Sequence, residues 1–296
     1  MKKIAAILIL AMLLSLCPGC AGNPPAQIAA TTMPVYCFTQ WLCRGTGLSV
    51  VQLVTEEVSC LHDYTLTVSQ MKTIESAQLV ILSGAGLEEF MEEALESAQC
   101  VADASEGIAL LEGGCHHHEE DGHAHEHSHE HETDPHIWLD PDNAQIMARN
   151  ICLALVRQYP EHRAIFEENL ASLSGEIDSV KEYAHAQLSG LTSREIITFH
   201  DGFTYLAHAF DLEILEAIEE ESGSEPSAQE LIALIETVEH HDVAAIFTEA
   251  NGSSSAASVI SRETGVPVFV LTMAMSGGSW FDCMYRNIDT LKEALS

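Results

Sequence analysis

Residues 166–184 read FEENLASLSGEIDSVKEYA, and this stretch decides how the rest of the chain is interpreted. Its apolar residues recur at spacings of three and four, with charged residues between them; they are Phe166, Leu170, Leu173, Ile177, Val180 and Ala184. Such spacing places them on one face of an α-helix. It predicts one long amphipathic helix that begins near Pro160 and acts as a rigid connector between two lobes.

Two sets of alternating segments flank this connector. The first runs from IAATTM at residues 28–33 to QCVADAS at residues 99–105, and the second from IITF at residues 196–199 to PVFVL at residues 267–271. Short β-branched runs separated by helical stretches indicate parallel strands with crossover helices. Predicted helices include one near Leu87 to Ala98 and a final one from about Trp280 to Leu295. The expected fold class is α/β: two lobes, each with a roughly four-stranded parallel sheet flanked by helices, joined by one long linking helix.

The chain begins with MKKIAAILILAMLLSLCPGC, which has the charged start and short apolar run of an export signal. Cys20 follows Gly19, as at the site where bacterial lipoproteins are cut and lipidated. We therefore expect an extracytoplasmic protein that is lipid-anchored to the bacterial cell membrane through Cys20; secretion without a lipid is the alternative. No later segment is predicted to span a membrane.

The predicted organisation has five parts. Residues 1–20 form the lipoprotein signal peptide and residues 21–27 a tether. An N-terminal α/β lobe covers 28–141 and contains a disordered His-rich loop at 112–134. A helical connector that includes the long linking helix covers 142–189, and a C-terminal α/β lobe covers 190–296.

The charge balance restricts the choice of partner. Twelve basic residues stand against 45 acidic ones, and the formal net charge is -33. Nucleic acid is excluded as a partner because phosphate binding requires clustered Lys and Arg. A strongly acidic surface instead fits a cation as ligand.

Three histidines stand apart from the rest of the sequence: His62 in CLHDY, His136 in DPHIWLDP and His200 in ITFHDGF. His200 closes a predicted parallel strand, and His62 lies just beyond another. Loops at the carboxyl ends of parallel strands are where α/β sheets bind ligands. A cleft between the lobes could gather all three side chains, and three neutral imidazoles suit Zn²⁺. A structural role for each histidine remains the alternative, because spacing alone does not decide between the two.

Four stretches carry a family resemblance that covers essentially the whole mature chain. DPHIWLDPDNAQIMARNI at residues 134–151 and HDGFTYLAHAFDLEI at residues 200–214 resemble motifs of the metal-binding solute receptors of ABC transporters, which take up zinc, manganese or iron. Residues 61–91 and 225–268 are similar to two further regions of that family. The resemblance implies two lobes, a rigid linking helix and metal ligands at His62, His136 and His200.

The resemblance also bears on the metal and on the fourth ligand. A histidine-rich insertion before DPHIWLDP is typical of the zinc branch, whereas manganese members usually lack it. The family commonly places an Asp after its last strand, where this chain has Thr272. The fourth ligand is therefore left open between Asp63, water and a histidine from the insertion.

The insertion at residues 115–132 is CHHHEEDGHAHEHSHEHE, which we call the histidine tract. Its histidines are expected to be accessory, low-affinity zinc ligands; they are His116, His117, His118, His123, His125, His127, His129 and His131. The tract has almost no apolar residues and is therefore expected to be a disordered loop. Tethered beside the cleft, it would raise the local zinc concentration. The alternative is a tolerated insertion without a role.

The function predicted from the sequence is a high-affinity receptor that captures Zn²⁺, as its transported ligand, in a cleft between the lobes and delivers it to the permease of an ABC transporter. No catalytic residue is assigned, and a monomer is expected. The alternatives are a manganese or iron receptor of the same transporter family, a zinc-dependent hydrolase with Glu249 as general base, and a surface adhesin or metal buffer.

Deletion of residues 115–132 is expected to remove the low-affinity zinc sites and to leave the tight site in place. Because imidazoles must be neutral to bind metal and have an ordinary pKa of about 6.5, the tract sites should be lost between roughly pH 7 and 5.5. Isothermal titration calorimetry of both proteins measures this. An unchanged stoichiometry after the deletion would contradict a collecting role.

Overall fold

The structure is a computed structural model that describes residues 26–56, 61, 64–112, 133–219, 226–241, 243–249 and 254–296. Several predicted features lie outside these residues: the export signal with Cys20, the histidine tract, His62 and Asp63. No helix within the described ranges is both long enough and apolar enough to cross a bilayer.

The first half of the described chain forms a four-stranded parallel sheet with the strand order β2-β1-β3-β4. Its strands are β1 (Ile28–Ala30), β2 (Val50–Gln52), β3 (Leu79–Leu82) and β4 (Val101–Asp103). Its helices are α1 (Met33–Leu42), α2 (Val68–Ser76) and α3 (Glu92–Leu95), the last preceded by a 3-10 turn at Glu89–Met91. The short central strands are continuous apolar runs because helices cover both faces of the sheet.

The second half repeats this architecture with the strand order β6-β5-β7-β8, again all parallel. Its strands are β5 (Glu195–His200), β6 (Glu213–Glu219), β7 (Ile246–Glu249) and β8 (Val268–Leu271). Its helices are α6 (Thr204–Phe210), α7 (Ala228–His241), α8 (Ser254–Thr264) and α9 (Trp280–Leu295). The predicted α/β class with two four-stranded parallel sheets is confirmed.

Two helices lie between the sheets: α4 (Pro141–Gln158) and the 26-residue α5 (Arg163–Leu188). Leu173, Ile177 and Val180 of α5 are fully buried, as their spacing predicted. α5 packs against α4, α1 and α9. One continuous helix therefore contacts elements of both halves.

The helix predicted near Leu87 to Ala98 is shorter than expected. The chain forms the 3-10 turn and the four-residue α3 instead. Glu88, at the start of this segment, turns inward and accepts hydrogen bonds from the amides of Ser83 (2.7 Å) and Gly84 (2.9 Å) and from the hydroxyl of Thr31 (2.6 Å). Despite these bonds, burial raises the pKa of Glu88 to about 7. The side chain ties together the loops that follow β1 and β3, and this tertiary role overrides local helix propensity.

Two buried tryptophans connect the halves. The indole N–H of Trp138, from the 3-10 turn Ile137–Leu139, donates to the carbonyl of Met273 beyond β8 at 2.7 Å. The indole N–H of Trp280, the first residue of α9, donates to the carbonyl of Trp138 at 2.9 Å. Both side chains are fully buried. Separation of the halves would leave both carbonyls without a partner, which is costly for buried groups. The two bonds therefore hold the halves in position relative to each other.

Replacing Trp280 by Phe retains a ring but leaves the Trp138 carbonyl without its donor. We expect the free energy of unfolding to fall by about 1–3 kcal/mol from that loss, with a further contribution from the smaller ring. Urea denaturation followed by circular dichroism measures it. Trp41→Phe is the matched control, because Trp41 is half-buried and has the same change in ring size. Equal losses in the two variants would contradict a role for the hydrogen bond.

Candidate metal centre

His136 is buried and is held by the aspartate two residues before it. Its main-chain N–H donates to Asp134 Oδ1 at 2.8 Å, and its ring Nδ1 lies 2.8 Å from the same oxygen. Burial by itself raises the pKa of the Asp134 carboxyl, but the charge and hydrogen bonds of His136 outweigh it and hold that pKa below its ordinary value. An ionised carboxylate only accepts, so in the neutral imidazole Nδ1 carries the hydrogen and the Nε2 lone pair is left for another group.

The Nε2 atom of His136 is itself buried. Among the described residues, no hydrogen-bond partner lies within reach of it. A buried lone pair without a partner is unfavourable. An electron-pair acceptor such as a metal ion would satisfy it, and a carboxylate on the other ring nitrogen is the usual arrangement of a histidine that binds zinc.

His200 has a similar setting in the second half of the chain. It is the last residue of β5, and its Nδ1 lies 3.7 Å from Oε1 of Glu249, the last residue of the neighbouring strand β7. Both side chains are buried. Parallel strands bring their carboxyl ends to one edge of the sheet, and this explains why two residues 49 positions apart meet there. Each histidine thus has a carboxylate on its Nδ1 side.

The two imidazoles lie against each other across the junction of the halves. Their ring centroids are 5.4 Å apart, with the planes at 86°. The position that a Cβ would take at Gly202 lies 2.8 Å from His200 Cδ2, 2.9 Å from His136 Cε1 and 2.6 Å from Met273 Cε. The His200 carbon is bonded to Nε2, and the His136 carbon lies between its two ring nitrogens, so both rings approach Gly202 by an edge next to Nε2. Only a glycine leaves room for the rings at this place.

The structure brings together two of the three predicted ligands, His136 and His200. The third, His62, lies outside the described residues, as does Asp63. Within the described ranges, no three His, Cys, Asp or Glu side chains are grouped so that they could hold a metal ion. The Oγ1 of Thr272, at the position of the family's aspartate, accepts from the amide of Ala274 at 3.1 Å.

The sequence interpretation missed three residues of this centre: Asp134, Gly202 and Met273. Asp134 could have been found from the tripeptide DPH, because a carboxylate two residues before a histidine can reach its ring nitrogen. Gly202 and Met273 gave no such signal. Glu249 was considered only as a catalytic base, whereas it lies beside His200 Nδ1.

The chain that carries this centre also matches a known protein family. Residues 28–294 match the model of the family described as zinc-uptake complex component A, periplasmic. The chain belongs to this family. The match covers both sheets, the connecting helices and both histidines of the centre.

Individual relatives agree with the assignment. The chain is 29% identical over 285 residues to the high-affinity zinc uptake system protein ZnuA of Bacillus subtilis (strain 168), covering 91% of this chain and 87% of that protein. A crystal structure of ZnuA superimposes with a TM-score of 0.78 at 27% identity, covering 91% of this chain and 98% of that one. The Zn(II)-bound ZnuA-like domain of Streptococcus pneumoniae AdcA gives a TM-score of 0.75, also at 27% identity, covering 90% and 98%.

Replacing Gly202 by Ala is expected to weaken zinc binding about tenfold or more, because the added carbon overlaps both rings and Met273 and so moves the imidazoles apart. Competition with a chromophoric zinc chelator measures the affinity. Gly190→Ala is the control, since no atom lies within 4 Å of the position of its Cβ. An unchanged zinc affinity in Gly202→Ala would show that the rings do not form the binding site.

Proposed function

We propose that this chain captures extracytoplasmic Zn²⁺ between its two lobes and delivers it to the membrane permease of an ABC transporter. The observation that carries the proposal is the pair of buried imidazoles from different lobes, His136 and His200, each with a carboxylate on its Nδ1 side. Membership of the zinc-uptake family and the zinc-bound structure of a relative support the choice of ion.

The chemistry of the centre favours zinc over harder ions. Neutral imidazole is a good ligand for Zn²⁺, whereas Mn²⁺ and Mg²⁺ prefer carboxylate, carbonyl and water oxygens. Asp134 holds the His136 ring through Nδ1 at 2.8 Å, and Glu249 lies 3.7 Å from Nδ1 of His200, so Nε2 of each ring is the nitrogen available to the ion. We assign His62 as the third ligand, and Asp63 or water as the fourth; these assignments rest on the family resemblance.

A carrier is favoured over a zinc hydrolase by the position of Glu249. A hydrolase needs a general base beside the open coordination position of the metal. Glu249 lies on the Nδ1 side of His200, opposite the Nε2 side that would face the ion. From there it can orient the imidazole, but it is badly placed to remove a proton from a metal-bound water.

The remaining proposals concern the charge, membrane attachment and organisation of the protein. The net charge of -33 attracts cations and raises their concentration near the surface. Cys20 is proposed as the point of lipid attachment to the cell membrane, the histidine tract as an accessory collector, and the protein as a monomer. The division into lobes at residues 28–141 and 190–296, with the connector between, is proposed as the functional organisation.

Replacing His136 or His200 by Ala should each weaken zinc binding by more than about a hundredfold, because a ligand to the ion is lost. Chelator competition at neutral pH measures the affinity of each variant, made in a chain without residues 115–132 so that the tract does not contribute. His185→Ala, an exposed histidine on α5, is the control.

The same titration tests the function as a whole. Nanomolar or tighter zinc binding by the parent chain, without turnover of ester or peptide substrates, is expected for an uptake receptor. Tight binding of Mn²⁺ in preference to Zn²⁺ would move the protein to the manganese receptors, and hydrolytic turnover would make it an enzyme.

A further inference from the structure

Met273 occupies a fixed position beside the two imidazoles. It lies two residues beyond the end of β8 and is 4% exposed. Its carbonyl accepts the indole N–H of Trp138 at 2.7 Å. The Trp138 ring also packs edge-to-face on His136, with centroids 5.3 Å apart. One tryptophan from the first lobe thus sets the position of the Met273 backbone relative to His136.

The side chain of Met273 ends at the metal centre. Its Cε lies 2.6 Å from the point beside Gly202 that is 2.8 Å from His200 Cδ2 and 2.9 Å from His136 Cε1. The thioether sulfur is bonded to that methyl carbon. The methyl end of this side chain therefore lies beside the edges of both rings that approach Gly202.

A methionine at this place offers the ion no hard ligand. A thioether is soft and uncharged, and its methyl group excludes water from the volume that it fills. Mn²⁺ and Mg²⁺ favour six oxygen ligands, whereas Zn²⁺ is stable with four ligands that include nitrogen. A wall that replaces oxygen donors by a methyl group removes more binding energy from the six-coordinate ions than from zinc.

We propose that Met273 is a specificity-determining residue of the metal centre. Its thioether acts as an apolar wall that closes one side of the coordination sphere, so that Zn²⁺ is accepted and Mn²⁺ is rejected. The wall is not itself a ligand. This inference rests on the proposed zinc-binding function and adds to it the side chain that sets the selectivity.

The test compares Met273→Asp with Met273→Leu in the chain that lacks residues 115–132. Aspartate supplies an oxygen donor at the wall, so the affinity for Mn²⁺ should rise about tenfold or more and the ratio of zinc to manganese affinity should fall accordingly. Leucine keeps an apolar wall of similar volume without sulfur, so both affinities should stay within about threefold of the parent chain. Chelator competition with each metal alone gives these values.

A second substitution guards against a folding defect. Met273→Gln offers a neutral oxygen at similar length and should also raise the Mn²⁺ affinity, even if Met273→Asp fails to fold by circular dichroism. A tenfold loss of zinc affinity in Met273→Leu would show that the sulfur is a ligand and would overturn the wall. An unchanged zinc-to-manganese ratio in both the Asp and Gln variants would overturn the inference alone, whereas absence of zinc binding in the parent chain would overturn the proposed function as well.

Discussion

The hydrogen bond from the Trp138 indole to the Met273 carbonyl is the contact on which the centre depends. It joins the loop that carries His136 to the loop beyond β8, and the same indole ring packs on His136. The carbonyl of Trp138 in turn accepts from Trp280. Two contacts of this fully buried residue thus relate the two lobes, and the third places it against His136. Because His136 and His200 come from different lobes, their separation is set by this junction.

Each buried imidazole of the centre needs a partner for both of its ring nitrogens. Burial of an imidazole is tolerable when one nitrogen has a carboxylate partner and the other meets an electron-pair acceptor. Asp134 fills the first requirement for His136 at 2.8 Å, and Glu249 lies on the corresponding side of His200 at 3.7 Å. The family to which the chain belongs is described by zinc uptake, and a divalent ion of that kind meets the second requirement.

Much of the fold could be predicted from the sequence because periodicity reports burial directly. The stripe from Phe166 to Ala184 and the short apolar runs gave the long helix and both parallel sheets. The predicted length of the helix after Leu87 was wrong, because Glu88 makes tertiary hydrogen bonds that no local pattern reveals. Of the three predicted ligands, His136 and His200 lie together, while the position of His62 stays a prediction. Gly202 and Met273 approach each other although they are 71 positions apart in the chain. A contact at this separation produces no repeating pattern in the sequence from which it could be predicted.

The continuous α5 helix has a consequence for how an ion could be exchanged. At about 1.5 Å per residue its 26 residues extend roughly 39 Å, and it is in contact with elements of both lobes. A continuous helix of this length resists bending. The lobes are therefore poorly suited to a wide hinge closure around the ligand. We therefore expect the ion to be recognised by a site that changes shape only slightly. Its release would then depend on an external partner that forces the site open.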